Sequence, residues 1–130
     1  MDNEEIKKEP EKEFEEEIDG EEVDKKIDEA NDKGVYVLKN PIEFEGKTIS
    51  EINIEKIRKL RYRDVKNARL YLKKVGLDIE PGASIYDSPE LCLTILWQKT
   101  GIPVELIDEL SVWDAAVLHN MVRLFFRIWG

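Results

Sequence analysis

The chain has 130 residues, of which 38% are charged, and its formal net charge is −9. Its one cysteine, Cys92, excludes an intramolecular disulfide and fits a reducing compartment. No apolar run reaches the length of a transmembrane helix, and the opening MDNEEIKKEP lacks the apolar stretch of a secretory signal. The composition therefore predicts a soluble intracellular protein made of one domain and an extension.

The negative charge is concentrated at the N-terminus. Residues 1–34 contain sixteen acidic residues and six lysines, whereas the remaining 96 residues contain fourteen basic and thirteen acidic residues. The large apolar residues of the first segment are few: Ile6, Phe14, Ile18, Val23 and Ile27. We expect an acidic flexible extension at 1–34, largely disordered or a lone exposed helix, that the domain at 35–130 does not need for folding.

A β-hairpin is predicted at the start of the domain. Ile42 and Phe44 alternate with polar residues, as do Ile52 and Ile54, and Glu45-Gly46 between them suits a tight turn. We predict a strand at 41–45 paired with one at 47–54. The run VYVL at 35–38 is a candidate third strand.

Helices are predicted for the rest of the chain. Apolar spacing favours a helix over 62–75 that ends at Gly76, and Ser88-Pro89-Glu90 is typical of the start of a second helix, which ends at Gly101. A short helix follows near 104–110, and Ser111 caps the last one with Asp114 in its first turn. The predicted class is α+β: a hairpin of two or three short strands followed by three to four α-helices.

The last helix is apolar over an arc of about 220°, roughly twice what a surface helix needs. One stripe on it contains Trp113, Val117, Met121, Leu124 and Ile128. A second stripe, about 120° away, contains Leu118, Val122, Phe126 and Trp129. Half of this arc suffices to pack on the domain, and the rest must be covered either by the hairpin and the other helices or by another chain. We predict that the first stripe packs in the core and that the second binds a partner, either another copy of the chain or a client helix.

The sequence offers little for catalysis. His119 is the only histidine, so no metal-binding spacing is present, and Cys92 lies within the most apolar helix, where a thiol acts as a small hydrophobe. The glycines form no phosphate-binding loop. We predict a protein that is not an enzyme and uses no cofactor and no metal.

The segment 56–74, KIRKLRYRDVKNARLYLKK, carries nine basic residues and one acid. It is either a solvated helix face or a binding surface for polyanions. Nucleic acid ranks below an acidic protein partner here, because the acidic extension of the same chain would compete with phosphate. The predicted basic patch contains Lys56, Arg58, Lys59, Arg61, Arg63, Lys66 and Arg69.

Residues 35–130 resemble the tail assembly chaperones of long-tailed bacteriophages and prophages, in the branch with a hairpin followed by helices. The resemblance is carried, in order, by VLKNPIEFEGKTISEINI, LRYRDVKNA, LCLTILWQKTGIPVELIDEL and WDAAVLHNMVRLFF. The acidic extension is a departure, because family members usually begin close to the first strand.

The resemblance implies a non-enzymatic holdase. Such proteins coat the helical tape measure protein while the tail tube polymerises, act in the cytoplasm of the bacterial host, and are absent from the mature virion. It also implies self-association and, in many members, a frameshifted longer form. The alternative is a small nucleic-acid-binding or regulatory protein that uses 56–74; a membrane partner is not expected.

Overall fold

The computed structural model describes residues 20–77 and 87–129, with side chains as far as Phe126. Within these residues the chain forms a helix, a two-stranded antiparallel hairpin, a short 3-10 helix and four further α-helices. This order confirms the predicted α+β class. The 3-10 helix, Glu55–Lys59, was not predicted; it follows the hairpin and buries Ile57.

The hairpin pairs β1 (Val35–Phe44) with β2 (Lys47–Asn53). Glu45 and Gly46 have φ of 52° and 76°, as a two-residue turn between twisted strands requires, so the predicted turn is confirmed. The candidate third strand at 35–38 is instead the first part of β1, which pairs with the end of β2. The predicted start of the hairpin at 41 was therefore too late.

The register of the hairpin is interrupted in β1. Val37 lies opposite Glu51 and Ile42 opposite Ile49, so residues 38–41 span a stretch in which β2 has only Ser50. We call residues 38–41 the β1 bulge. A bulge removes backbone N–H groups from the ladder and turns them towards other acceptors.

The first helix, α1 (Gly20–Lys33), packs on the domain rather than standing in solvent. Its buried residues Val23, Ile27 and Ala30 recur at helical spacing, and the helix contacts β1 and the last helix. The expectation of a solvated segment was wrong for residues 20–33, because three apolar side chains on one face suffice when they complete an existing core. Residues 1–19 lie outside the described residues.

Gly34 fixes the passage from α1 into the hairpin. Its φ is 73°, and a Cβ at this position would lie 2.7 Å from the side chain of Glu55. Its N–H donates to the Ala30 carbonyl at 2.8 Å, and its own carbonyl accepts from the N–H of Ile54 at 3.0 Å. Glycine therefore joins helix and hairpin where a side chain would be strained by the positive φ and would have to displace the Glu55 side chain.

The basic helix α2 runs from Tyr62 to Lys74 and buries Val65, Ala68 and Leu72. The N–H of Gly76 donates to the carbonyl of Lys73, and that of Leu77 to the carbonyl of Leu72. This double hydrogen bond, with Gly76 at φ 84°, is a Schellman motif and confirms the predicted end of the helix.

The central helix is α3 (Pro89–Thr100), which contacts α2, the last helix and the short helix α4 (Val104–Asp108). Ser88 caps it, since its Oγ accepts from the N–H of Leu91 at 3.3 Å. Gly101 ends it at φ 80°, as predicted. Helix α3 is central because its buried residues Leu91, Cys92, Ile95 and Leu96 face more than one neighbour.

The last helix, α5 (Val112–Trp129), begins with a buried carboxylate. Asp114 is 0% exposed, and each of its oxygens accepts two hydrogen bonds. Oδ1 accepts from the Tyr36 hydroxyl at 2.7 Å and from the N–H of Lys39 at 2.9 Å. Oδ2 accepts from the N–H of Asn40 at 3.0 Å and from the Ser111 hydroxyl at 3.0 Å. The carboxylate therefore joins the β1 bulge to the start of α5.

The groups around Asp114 reinforce this joint. The Asn40 amide donates to Ser111 Oγ at 2.9 Å, and Ser111 Oγ also accepts from the N–H of Asp114 at 3.1 Å. The Lys39 ammonium lies 4.6 Å from the centre of the Trp113 ring. Burial, together with the hydrogen bond to Asp114 and its negative charge, raises the pKa of Tyr36 far above its ordinary value, so its hydroxyl remains a donor at neutral pH.

The Asp114→Asn variant should be strongly destabilised. An amide presents one oxygen and one NH2, and either orientation turns the NH2 towards a backbone N–H of Lys39 or Asn40, which cannot accept and is left without its partner. We expect a loss of about 3 kcal/mol or more in the free energy of unfolding, measured by urea denaturation. The exposed Glu105→Gln in α4 is the control and should cost less than about 0.5 kcal/mol. Equal stability of the two variants would contradict the role given to Asp114.

The packing of α1 is tested by Ile27→Ala, with the exposed Asp28→Ala as its neighbour control. Truncation of Ile27, 3% exposed, should cost about 2–5 kcal/mol because it leaves a cavity beneath the helix. Asp28→Ala should melt close to the wild type. A thermal melt in which both variants match the wild type would mean that α1 adds nothing to the core.

Candidate interaction surfaces

The predicted partner-binding stripe on α5 is largely part of the core. Leu118 and Val122 are both 0% exposed, Phe126 is partly buried against the core, and the Trp129 side chain lies outside those described. Helices α1 and α3 and strand β1 all contact α5. Assigning Leu118 and Val122 to a partner was therefore wrong, because this chain itself covers both side chains.

The first stripe on α5 behaves as predicted over most of its length. Trp113, Val117 and Met121 are buried, and Leu124 is partly buried against the same core. The side chain of Ile128 lies beyond those described. The wide apolar arc of α5 thus reflects a helix surrounded by its own fold, with α1 as the covering element that the sequence did not predict.

An open groove of about 310 Å³ lies between α2, α3 and α4. Its lining is mostly apolar: Tyr71, Leu72, Val75, Leu77, Leu93, Trp97, Val104 and Ile107, with Thr94, Glu90 and Asp108 as the polar members. Val75 and Leu77 are 49% and 53% exposed, which is unusual for large aliphatic side chains side by side. We call this feature the α2–α4 groove.

Only part of this groove was indicated by the sequence pattern. Helix α3 is the most apolar helix, as the sequence predicts, but Leu93 and Trp97 on it are only partly buried and line the groove. The unused signal was the pair Val75 and Leu77, apolar residues on either side of the glycine that ends α2. Val75 continues the apolar spacing of α2 and Leu77 follows the helix end, and their exposure shows that the apolar face of α2 extends past the core into the groove.

Two contacts hold the walls of the groove together. The rings of Tyr71 on α2 and Trp97 on α3 pack edge to face, with centroids 4.9 Å apart. At the other end of α2, Asp64 Oδ2 accepts from the N–H of Arg61 at 2.8 Å and from Lys99 Nζ, on α3, at 3.1 Å. Burial alone would raise the pKa of Asp64, but these donors and the nearby positive charges hold it below its ordinary value.

The predicted basic patch is exposed throughout. All seven of its side chains lie at the surface of the 3-10 helix, α2 or the residue between them: Lys56, Arg58, Lys59, Arg61, Arg63, Lys66 and Arg69. We call these seven residues the basic surface. Within the described part of the chain, none of them forms an ion pair, since the ion pairs there belong to Lys99 and Arg123.

The two residues considered for catalysis are held in structural roles. Burial, with the negative charge of Asp87, raises the pKa of the Cys92 thiol to about 12, the opposite of an activated nucleophile. His119 is half-buried, and its Nε2 lies 3.1 Å from the carbonyl oxygen of Asp87. Burial lowers the pKa of His119, so it is neutral at physiological pH and contacts the residue that precedes the α3 cap.

Metal-binding clusters and membrane-spanning helices were also sought among the described residues. Among residues 20–77 and 87–129, no cluster of three His, Cys, Asp or Glu side chains has metal-binding geometry. In the same ranges, no helix is both long and apolar enough to cross a bilayer.

Comparison with protein-family models found no match to this chain, and comparisons with curated proteins and with solved structures found none either.

The Asp64 contacts predict a pH-dependent contribution to stability. The folded pKa of Asp64 lies below its ordinary value, so its contribution is complete above about pH 4–5 and is lost as pH falls through the folded pKa. Asp64→Asn should lower the free energy of unfolding by about 1 kcal/mol at pH 7, and the deficit should shrink towards pH 2–3. Urea titrations of the wild type and Asp64→Asn at several pH values measure this difference in the free energy of unfolding. Asp28→Asn, at an exposed position, is the control. A deficit that is constant with pH would contradict the assignment.

Proposed function

We propose that this protein is a non-enzymatic phage tail assembly chaperone that holds segments of the tape measure protein during tail assembly. The ordered resemblance of residues 35–130 to that family supports this proposal. The structural observation that carries it is the open apolar α2–α4 groove. We propose that the chaperone acts in the cytoplasm of the bacterial host, is absent from the mature virion, and associates with itself and with a frameshifted longer form where one exists.

The groove suits an amphipathic client helix. A helix lays its apolar face into such a groove through residues spaced at i, i+3, i+4 and i+7. The aromatic pair Tyr71 and Trp97 supplies the kind of large apolar contact that dominates binding energies. Because the groove carries the acids Glu90 and Asp108, the client should have Lys or Arg beside its apolar stripe.

Holding a helix requires no chemical step from the protein. Apolar burial provides affinity without bond formation, and a groove open along one side can release its client when a competing surface becomes available. The tube that polymerises around the tape measure protein would be such a competing surface.

The alternative function uses the basic surface, whose seven side chains are all exposed. A nucleic-acid-binding or regulatory protein would depend on that surface and not on the groove. Its affinity would also fall steeply with salt, because binding to phosphates releases counterions.

Leu77→Glu separates these functions. Leu77 lines the groove and is 53% exposed, so a charged side chain there should leave the fold intact. Binding of a client helix would remove water from that charge, which is unfavourable. Val112→Glu is the control, since Val112 is 59% exposed and lies at the start of α5, outside the groove lining. We expect Leu77→Glu to weaken capture of the co-expressed tape measure protein by about tenfold or more, equivalent to about 1.4 kcal/mol, and Val112→Glu to have little effect.

Two results would overturn the proposal. The first is a wild-type chain that does not bind the co-expressed tape measure protein. The second is equal binding by the two variants, which would exclude the groove as the client site. Salt-sensitive retention on DNA that is unaffected by Leu77→Glu but lost in Arg63→Glu/Lys66→Glu would favour the alternative.

A further inference from the structure

The positive charge of the basic surface is not balanced within the described chain. Its one acidic neighbour on α2, Asp64, accepts from Lys99 and from the N–H of Arg61 and also lies in the field of Arg63, so it cannot offset seven cations. The seven side chains of the basic surface are exposed and form no ion pair among the described residues. So dense a like charge is self-repelling, and a bound polyanion would relieve that repulsion.

The basic surface also offers apolar contacts. On α2 the buried residues lie on one side, whereas Arg63, Lys66 and Leu70 lie on the opposite side at 100° per residue. Leu70 is 63% exposed and Tyr62 70% exposed, and the Lys66 ammonium lies 6.0 Å from the Tyr62 ring centre. The ligand that fits is therefore a polyanion with occasional large apolar side chains, rather than a uniformly charged one.

Residues 1–19 have this composition. They contain ten acidic residues and three lysines, for a net charge of −7, and their large apolar residues are Ile6, Phe14 and Ile18. The basic surface carries seven positive charges. The two charge patterns are therefore closely matched in size and opposite in sign.

The covalent attachment makes this contact geometrically possible. Residue 19 precedes Gly20 at the start of α1, and nineteen residues can span up to about 60 Å. A domain of about 110 residues has a radius of gyration of only about 13 Å, so the segment can reach α2 from any point on the surface. Attachment also gives the segment an effective concentration in the millimolar range, which turns a weak attraction into substantial occupancy.

We propose that residues 1–19 bind the basic surface of their own chain and thereby exclude external polyanions from it. The segment acts as a built-in competitor: it neutralises the exposed Lys and Arg side chains and places its apolar residues against Leu70 and Tyr62. This inference is independent of the proposed chaperone function, because it concerns the exposed face of α2 and not the groove.

The test compares two full-length variants with the same change in net charge. The first is Glu13→Gln/Glu15→Gln/Glu16→Gln/Glu17→Gln, within the proposed competitor. The second is Asp24→Asn/Asp28→Asn/Glu29→Gln/Asp32→Asn, at four exposed positions of α1. The probe is a fluorescently labelled 20-nucleotide single-stranded DNA, with binding measured by anisotropy at low and high salt.

We expect the first variant to bind the DNA about tenfold more tightly than the wild type at low salt, because its intramolecular competitor is weakened. The α1 variant should bind the DNA only slightly more tightly than the wild type, because it changes the net charge of the protein but not the proposed competitor. Adding Arg63→Glu, Lys66→Glu and Arg69→Glu should abolish the advantage of the first variant. Equal gains in both variants, or a gain that survives the three charge reversals, would overturn the proposal.

A second measurement detects the contact without any DNA. In NMR spectra of the full-length wild type, the backbone amides of Arg63, Lys66 and Leu70 should shift when salt is raised, as the intramolecular contact is screened. The same amides should shift much less in the Glu13/15/16/17 variant. Amide shifts that are identical in the two proteins would contradict binding of the segment to α2.

Discussion

The fold depends on one buried carboxylate that satisfies four donors from distant parts of the chain. Asp114 accepts hydrogen bonds from the β1 bulge, from Tyr36 and from the cap of its own helix. A buried charge is unfavourable unless it is fully hydrogen-bonded, and unpaired backbone N–H groups in a bulge are unfavourable as well. The N–H groups of the bulge satisfy the carboxylate and the carboxylate satisfies them, so the bulge and the start of α5 stabilise each other. This mutual requirement sets the position of the hairpin relative to the helices.

With that joint fixed, the distribution of apolar surface follows. Helix α5 is surrounded by α1, α3 and β1, so even Leu118 and Val122 are fully buried. The side of α3 that carries Leu93 and Trp97 has only α2 and α4 as neighbours in the groove lining, and there the apolar surface remains open. The acidic helix α1 covers part of α5, whereas the α2–α4 groove and the basic surface remain exposed among the described residues.

Local structure was largely predictable because its signals are local. The Glu45-Gly46 turn, the Ser88 cap and the Gly76 and Gly101 helix ends each depend on a few neighbouring residues, and all were confirmed. Asp114 was recognised as an acid in the first turn of a helix, but its partners in β1 lie more than seventy residues away. The composition of residues 1–34 also led to a wrong expectation for α1, because three buried apolar residues hardly change the average hydropathy of an acidic segment. The groove was missed for a similar reason: it is formed by three helices whose mutual packing no single segment specifies.

The Asp114 carboxylate holds the β1 bulge through the N–H groups of Lys39 and Asn40. Their side chains are exposed, so without this acceptor their amides would exchange hydrogen rapidly with solvent. Native-state hydrogen exchange followed by NMR measures these two amides directly, with the amide of Glu105 in the first turn of α4 as an exposed reference. We expect the amides of Lys39 and Asn40 to be protected nearly as strongly as the core amides of α3. Exchange of these two amides at the rate of Glu105 would mean that Asp114 does not hold the bulge.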